Sequence, residues 1–193
     1  MPALSCIELT RVEQQLAIDM VWLVLRESIK EQQLVMPAVP DCAVLQQQAG
    51  CFITLYVDDE LRGCIGTSVA EKPLWQNICN HSYNSAFKDY RFDSLQFSEL
   101  KQLSFQISIL SACSSIDNLG EQALVSELKP GVDGLVIEYQ QHNALFLPSV
   151  WDALPKPEVF VAKLKVKAGL AEDYWHQDMK LYRFQTLLIK SAS

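Results

Sequence analysis

A chain of 193 residues, 49% of them apolar and 20% charged, is long enough for one sizeable core, or for two lobes sharing one, and too short for several independent domains. Its formal net charge of -7 repels phosphate backbones unless basic residues collect locally, which disfavours nucleic acid as a partner. The longest apolar run, Met20 to Leu25, is far shorter than the roughly 20 residues of a membrane span, and no basic leader with a small-residue cleavage site opens the chain; the reading is a cytoplasmic protein.

Thr10 followed by Glu13 is a capping-box signature, and Val12, Leu16, Met20, Leu23 and Val24 then recur at helical spacing. They predict an amphipathic first helix ending near Lys30, with Trp22 at the edge of the stripe. Pro37 and Pro40 mark an extended connector, followed by a Gln-rich turn at Gln46 to Gln48. Cys51 to Val57 and Leu61 to Thr67 read as a hairpin. A three-residue loop of Asp58, Asp59 and Glu60 sets Val57 opposite Leu61, Tyr56 opposite Arg62, Thr54 opposite Cys64 and Ile53 opposite Ile65. In that register Ile53, Leu55, Val57, Leu61 and Ile65 form one apolar side, and Thr54, Tyr56, Arg62 and Cys64 share the other. A two-residue loop mixes Arg62 and Cys64 with the apolar residues and is rejected.

Pro73 starts a helix with Leu74, Ile78, Ser82 and Ala86 on one side, running to about Lys88. Phe92 to Phe97 reads as a loop with aromatic anchors, Leu103 to Leu110 as a strand, and Glu121 to Leu128 as a short helix. After the turn Pro130 to Gly134, strands Leu135 to Tyr139 and Ala144 to Leu147 form a hairpin joined through Gln140, Gln141, His142 and Asn143. Pro148 opens a short helix with Trp151, Pro157 to Ala168 forms a helix stopped by Gly169, and Tyr182 to Ile189 is a closing strand. Lys163, Lys165 and Lys167 read as a solvated helix face. Without a repeated strand-helix-strand rhythm, the fold class is α+β, a single domain spanning residues 1–193.

The candidate site is Leu61-Arg62-Gly63-Cys64-Ile65-Gly66, where a thiol, a permanent cation and bare backbone come together. A guanidinium near Cys64 would favour the nucleophilic thiolate, and Gly63 and Gly66 would let a ligand or a strand approach the backbone. Equally, Cys64 reads as a small buried residue, the glycines as packing contacts and Arg62 as an ion-pair partner. His81, His142 and Glu138 are the residues that could approach as catalytic partners. The six cysteines, Cys6, Cys42, Cys51, Cys64, Cys79 and Cys113, include no Cys-x-x-Cys pair and are read as reduced thiols. With three scattered histidines they predict neither a metal site nor a cofactor. No phosphate loop, nucleophile elbow or paired-carboxylate motif appears.

The hairpin Gly50 to Leu55 and Leu61 to Gly66 resembles the signature of the AMMECR family, named for the Alport syndrome, midface hypoplasia and elliptocytosis chromosomal region. The resemblance continues through Phe87-Lys88-Asp89-Tyr90-Arg91-Phe92, Ile107 to Leu110, Pro130 to Leu135, Phe146 to Trp151 and Lys167 to Leu170, covering about Gly50 to Phe184. It implies a two-lobed α+β domain with the cysteine motif in or beside the cleft between lobes, and carries over Arg62, Gly63, Cys64, Ile65 and Gly66. Members of this kind look like protein A of the bacterial AmmeMemoRadiSam system, so a Memo-like protein and a radical SAM protein are the implied partners. Departures from the family pattern are Ser82 and Ser85 in place of small apolar residues, Ser149 for a frequent glutamine, and Lys165 where cysteine is common, which removes any cysteine pair between that position and Cys64.

Three functions follow as expectations. In the first, an accessory or modifying protein uses Cys64 and Arg62, with Gly63, Ile65, Gly66, Thr54 and Tyr56 around them, to bind or covalently hold a small molecule or partner segment. The second is a non-enzymatic interaction module, and the third, disfavoured by charge, a nucleic-acid binder.

Overall fold

The computed structural model describes residues 8–191. Along the chain run helix α1 (Arg11–Glu31), strands β1 (Cys51–Val57) and β2 (Glu60–Thr67), helix α2 (Leu74–Phe87), strands β3 (Leu103–Leu110) and β4 (Ser114–Ile116), helix α3 (Glu121–Glu127), strands β5 (Gly134–Tyr139) and β6 (His142–Phe146), helix α4 (Pro157–Lys167) and strands β7 (Lys180–Phe184) and β8 (Thr186–Lys190). Short 3-10 turns lie at Phe97–Lys101 and Pro148–Asp152. The architecture is α+β, with two four-stranded sheets ordered β2-β1-β3-β8 and β4-β7-β5-β6. The chain divides into two compact units, a larger one that runs up to Leu110 and resumes at Leu187, and a smaller one at Ser111–Thr186. Among the described residues no helix is long and apolar enough to cross a membrane.

In the larger unit α1 begins where the capping box predicts. The Thr10 side chain accepts from the Glu13 N–H, and the Glu13 carboxylate accepts from the Thr10 N–H at 2.7 Å. Its buried face differs from the predicted stripe: Ala17, Met20, Val21, Val24, Leu25 and Ser28 point inward, while Val12 and Leu23 are exposed. Small residues at 17 and 28 complete the true face, which reading large apolar residues alone displaces. The core joins this face to Leu74 and Ile78 of α2, Ile53 and Leu55 of β1, and Phe105 and Ile107 of β3, and Trp22 sets its ring edge-on to Phe105. No side chain caps α2. Its first N–H groups donate instead to the carbonyls of Gln47 (from Leu74, 2.8 Å) and Leu45 (from Trp75, 2.9 Å), so the connector before β1 terminates the helix.

The predicted aromatic anchoring of the 92–97 loop is only half correct. Phe97 is 65% exposed, and the anchor is the aliphatic Leu95, buried with its N–H on the Ala86 carbonyl.

In the smaller unit β5 and β6 pair from Leu135–Phe146 to Tyr139–His142, so the connection is the two-residue turn Gln140-Gln141, not the predicted four residues. Gln140 takes the left-handed conformation the tight turn needs, at φ 54°. The predicted closing strand is two strands: β7 pairs with β4 and β5, β8 lies beside β3, and the break falls at Gln185. There Ser111 donates its N–H to the Gln185 carbonyl at 2.8 Å and accepts the Gln185 N–H on its hydroxyl at 2.9 Å. Continuous apolar character from Leu181 to Ile189 hides that change of sheet.

The three-lysine face is also corrected. Residues two apart on a helix do not share a side, and Lys165 turns inward, fully buried, with its ammonium 2.8 Å from both Glu121 oxygens and 5.8 Å from the Trp175 ring centre. Lys163 reaches Glu172 at the surface and Lys167 donates to the Leu145 carbonyl. Because Glu121→Ala strands the ammonium without its counter-ion, it is expected to cost about 3 kcal/mol in urea unfolding, whereas Lys165→Met in the Glu121→Ala background should recover most of that loss.

Candidate functional site

The hairpin that carries Cys64 turns at Asp58 and Asp59, both left-handed at φ 51° and 64°, the pair of conformations a two-residue turn demands. Val57 therefore faces Glu60 and Tyr56 faces Leu61, in place of the predicted Val57–Leu61 and Tyr56–Arg62 pairs. Arg62 is then an extra residue with no partner on β1, a β-bulge, after which Leu55 pairs with Gly63, Thr54 with Cys64 and Ile53 with Ile65. A short turn plus one bulged residue leaves the strand in the same register as a three-residue loop. The two-residue turn rejected from the pattern is thus present, and the predicted pairs beyond the bulge stand. Leu61, assigned to the apolar side, is exposed beside the turn.

β2 is an edge strand, and α2 crosses behind it. Gly63 is buried there because a β-carbon would collide with the backbone carbonyl of Ser85. The Ser85 hydroxyl donates to the Ile53 carbonyl and accepts the Ile65 N–H, each at 2.8 Å, stitching both strands to the helix. A small apolar residue at 85 would lack those bonds. At Gly66 a side chain would meet the Cys51 carbonyl and the Phe52 ring. The space both glycines leave is thus filled by the protein itself.

On the opposite face Cys64 and Thr54 lie side by side, Sγ and Oγ1 3.3 Å apart, with Gln106 of β3 next in the row. Tyr56 continues this side of β1 and pairs with Ser104. Cys64 is half-buried, and its outward peptide groups are both occupied: its N–H donates to Asp89 Oδ2 at 2.9 Å, and its carbonyl accepts from Arg91 Nη2 at 3.3 Å. Asp89 and Arg91 are themselves paired at 2.6 Å. One acceptor and one donor held side by side imitate the next strand of the sheet, so the loop after α2 closes the edge at Cys64. Hydrogen bonds from Arg91 lower the Asp89 carboxyl to about 2, burial opposes the shift, and the Cys64 N–H adds to it.

Arg62 is employed elsewhere. Its Nε and Nη2 grip Glu99 at 2.7 and 3.2 Å, and Nη1 donates to the Asp93 carbonyl at 2.6 Å. Burial pushes the Glu99 carboxyl up, but the bonds from Arg62 and the Gln96 N–H overcome it and leave its pKa below the usual value. The arginine beside Cys64 is Arg91. Asp89, Arg91 and Glu99 were not singled out in the sequence; the signal that could have found the first two is an acid and a base two residues apart, between aromatic residues, directly after a helix.

Of the other expected partners, His142 Nδ1 lies 2.8 Å from the Ala168 carbonyl, and Glu138 is exposed on β5. His81 on α2 has both ring nitrogens buried without a partner, and its pKa is lowered by burial and then by Lys72. The thiols of Cys42, Cys51, Cys64, Cys79 and Cys113 are free, while Cys6 lies outside the described residues. Burial drives the Cys51 thiol far up and Cys79 to about 12. Among the described residues no three His, Cys, Asp or Glu side chains gather as a metal site.

The fold and site define a class: an α+β protein with two antiparallel sheets that presents a thiol from a bulged edge strand whose free backbone an Asp-Arg loop closes. The class has a family: the model described as AMMECR1 matches residues 16–189, and the chain belongs to the AMMECR1 family. Protein MJ0810 of Methanocaldococcus jannaschii is 32% identical over 192 residues, covering 95% of this chain and 92% of the relative. A protein of Thermofilum pendens is 34% identical over 157 residues, covering 73% and 72% of the two chains. The crystal structure of the uncharacterized protein PH0010 from Pyrococcus horikoshii superposes with a TM-score of 0.83 at 27% identity, covering 91% of this chain and 89% of that one.

One outcome tests the clamp and another the helix contact beneath it. A carboxyl depressed by folding stabilises above its unfolded pKa, and that contribution fades as pH falls from 3.8 towards about 2. Asp89→Asn should therefore cost about 2 kcal/mol at pH 7 and flatten the acid limb of stability against pH, both read from urea melts. Gly63→Ala should cost about 2 kcal/mol or more, since the methyl meets backbone and not a flexible side chain; a Gly63→Ala protein as stable as the parent would refute the helix contact as the reason for glycine.

Proposed function

We propose that this AMMECR1-family protein is a cytoplasmic accessory or modifying component that works with a Memo-like protein and a radical SAM protein, with Cys64 as the group that binds or covalently holds a small molecule or partner segment. The observation that carries the reading is the treatment of Cys64: both outward backbone groups are tied to Asp89 and Arg91, while the residue is only half-buried, its sulfur beside Thr54. Fixing the peptide spares the side chain the entropy of being positioned. The buried thiols Cys51 and Cys79, raised by desolvation, have no such role. In the covalent form sulfur adds to an electrophilic carbon and the thiol proton passes to the adduct.

A second reading is favoured by Gly63, Gly66 and Arg62, whose surroundings are the protein's own atoms. Here the motif builds a rigid surface on which partners dock, and the thiol does no chemistry.

Native alkylation with iodoacetamide across pH 6 to 9, read by mass spectrometry, separates these. Cys64 should be modified well before Cys51 and Cys79, which remain protected until unfolding, and Cys64→Ala should abolish activity of the reconstituted three-protein system. If Cys64 alkylates no faster than a peptide thiol and Cys64→Ala retains activity and co-purification with both partners, the docking reading replaces the first.

A further inference from the structure

A second surface of the larger unit, independent of Cys64, gathers basic side chains around an apolar hollow. Arg26 and Lys30 stand one turn apart on α1, and Phe97, Ser98, Leu100 and Lys101 come from the 3-10 turn beside it; together they line an open hollow of about 730 Å³. Its lining is mainly apolar, its rim is cationic, and Phe97 is 65% exposed. Arg26 lies over the Trp22 ring, 4.9 Å from its centre, and neither Arg26 nor Lys101 has a carboxylate partner among the described residues. Of the acids on these elements, Glu27 pairs with Lys30 at 2.7 Å, Glu99 is bound by Arg62, and Glu31 ends α1 beside Lys30. Leu23, also exposed, sits on the same side of α1 one turn before Arg26.

Two cations without a carboxylate partner among the described residues, Arg26 and Lys101, beside an unfilled apolar floor stand out on a chain of net charge -7. We propose that this hollow is a docking site for an acidic segment of a partner protein, one that inserts a large apolar side chain against Phe97 and Leu100 and sets its carboxylates on Arg26 and Lys101. Concavity argues against a bilayer, which cannot enter a hollow without deforming, and the negative charge of the remaining surface argues against a nucleic acid. An exposed aromatic ring with an arginine beside it has the composition of an interface anchor. Carboxylates on this rim fix the register of the segment, and the buried side chain supplies most of the affinity.

The test uses the full chain and a fluorescein-labelled synthetic peptide in which a Phe-Leu pair is flanked on each side by two aspartates. Anisotropy should show saturable binding that weakens with added salt, weakens about tenfold in Lys101→Glu and is lost in Phe97→Ser. The same peptide with lysines for aspartates should not bind. Each substitution is at an exposed position, and thermal melts verify folding. Absence of saturable binding, equal binding of the two peptides, or unchanged affinity in Lys101→Glu overturns the proposal. So does binding of phosphatidylglycerol vesicles or single-stranded DNA that depends on Phe97 and Lys101 when the acidic peptide does not bind.

Discussion

The closest constraint in the larger unit is the seam between α2 and β2. A helix backbone laid against a strand leaves no room for a side chain, so Gly63 is required where the Ser85 carbonyl arrives. Serine, not alanine, is useful one step further, because its hydroxyl reaches the Ile53 carbonyl and the Ile65 N–H across the two strands. Helix and hairpin thus become one body at Cys64. From that seam α2 runs on to Phe87, and the loop that follows is delivered to the open edge of β2. The Asp89–Arg91 clamp depends on α2 ending where it does, and α2 is held in place by its contact with Gly63.

Arg62 has a related part. A bulge points its residue away from the regular alternation of the strand, and here the displaced guanidinium is directed to Glu99 and the Asp93 carbonyl. Two arginines therefore pin the same loop to the same strand from either side of Cys64. Arg91 reaches in from the loop to the strand, and Arg62 reaches out from the strand to the loop. The cation expected to act on the thiol serves as a tether, and the cation that touches Cys64 comes from a residue remote in sequence.

Much of this fold was legible because local signals agreed with it. Thr10 and Glu13 form the capping box, Leu74, Ile78, Ser82 and Ala86 form the buried side of α2, and the strand Leu103–Leu110 has its predicted bounds. The pairing of Thr54 with Cys64 was also readable, since alternation decides which side chains share a face. Misreadings fell where two backbone solutions produce one pattern, as with the turn and bulge before Gly63, or where a residue's chemistry contradicts its burial, as with Lys165. Its aliphatic stem packs like a core residue, and its charge is tolerable only because Glu121 stands at its end. Periodicity does not register a partner 44 residues away. Asp89 and Arg91 stood in the family-like block Phe87 to Phe92 without a role for the same reason: their meaning lies in the strand edge they close.

The 3-10 turn at Phe97–Lys101 joins the two surfaces of the larger unit. Its Glu99 side chain faces the hairpin and is held by Arg62, while Phe97, Leu100 and Lys101 face the basic hollow beside α1. The turn is closed by the Gln102 N–H on the Glu99 carbonyl, so one short backbone segment presents side chains to both surfaces. Glu99 of the turn holds Arg62, the bulged residue two positions before Cys64. The link between them is short: one turn, one ion pair with 16% and 23% of its side chains exposed, and an edge strand closed at Cys64 by Asp89 and Arg91.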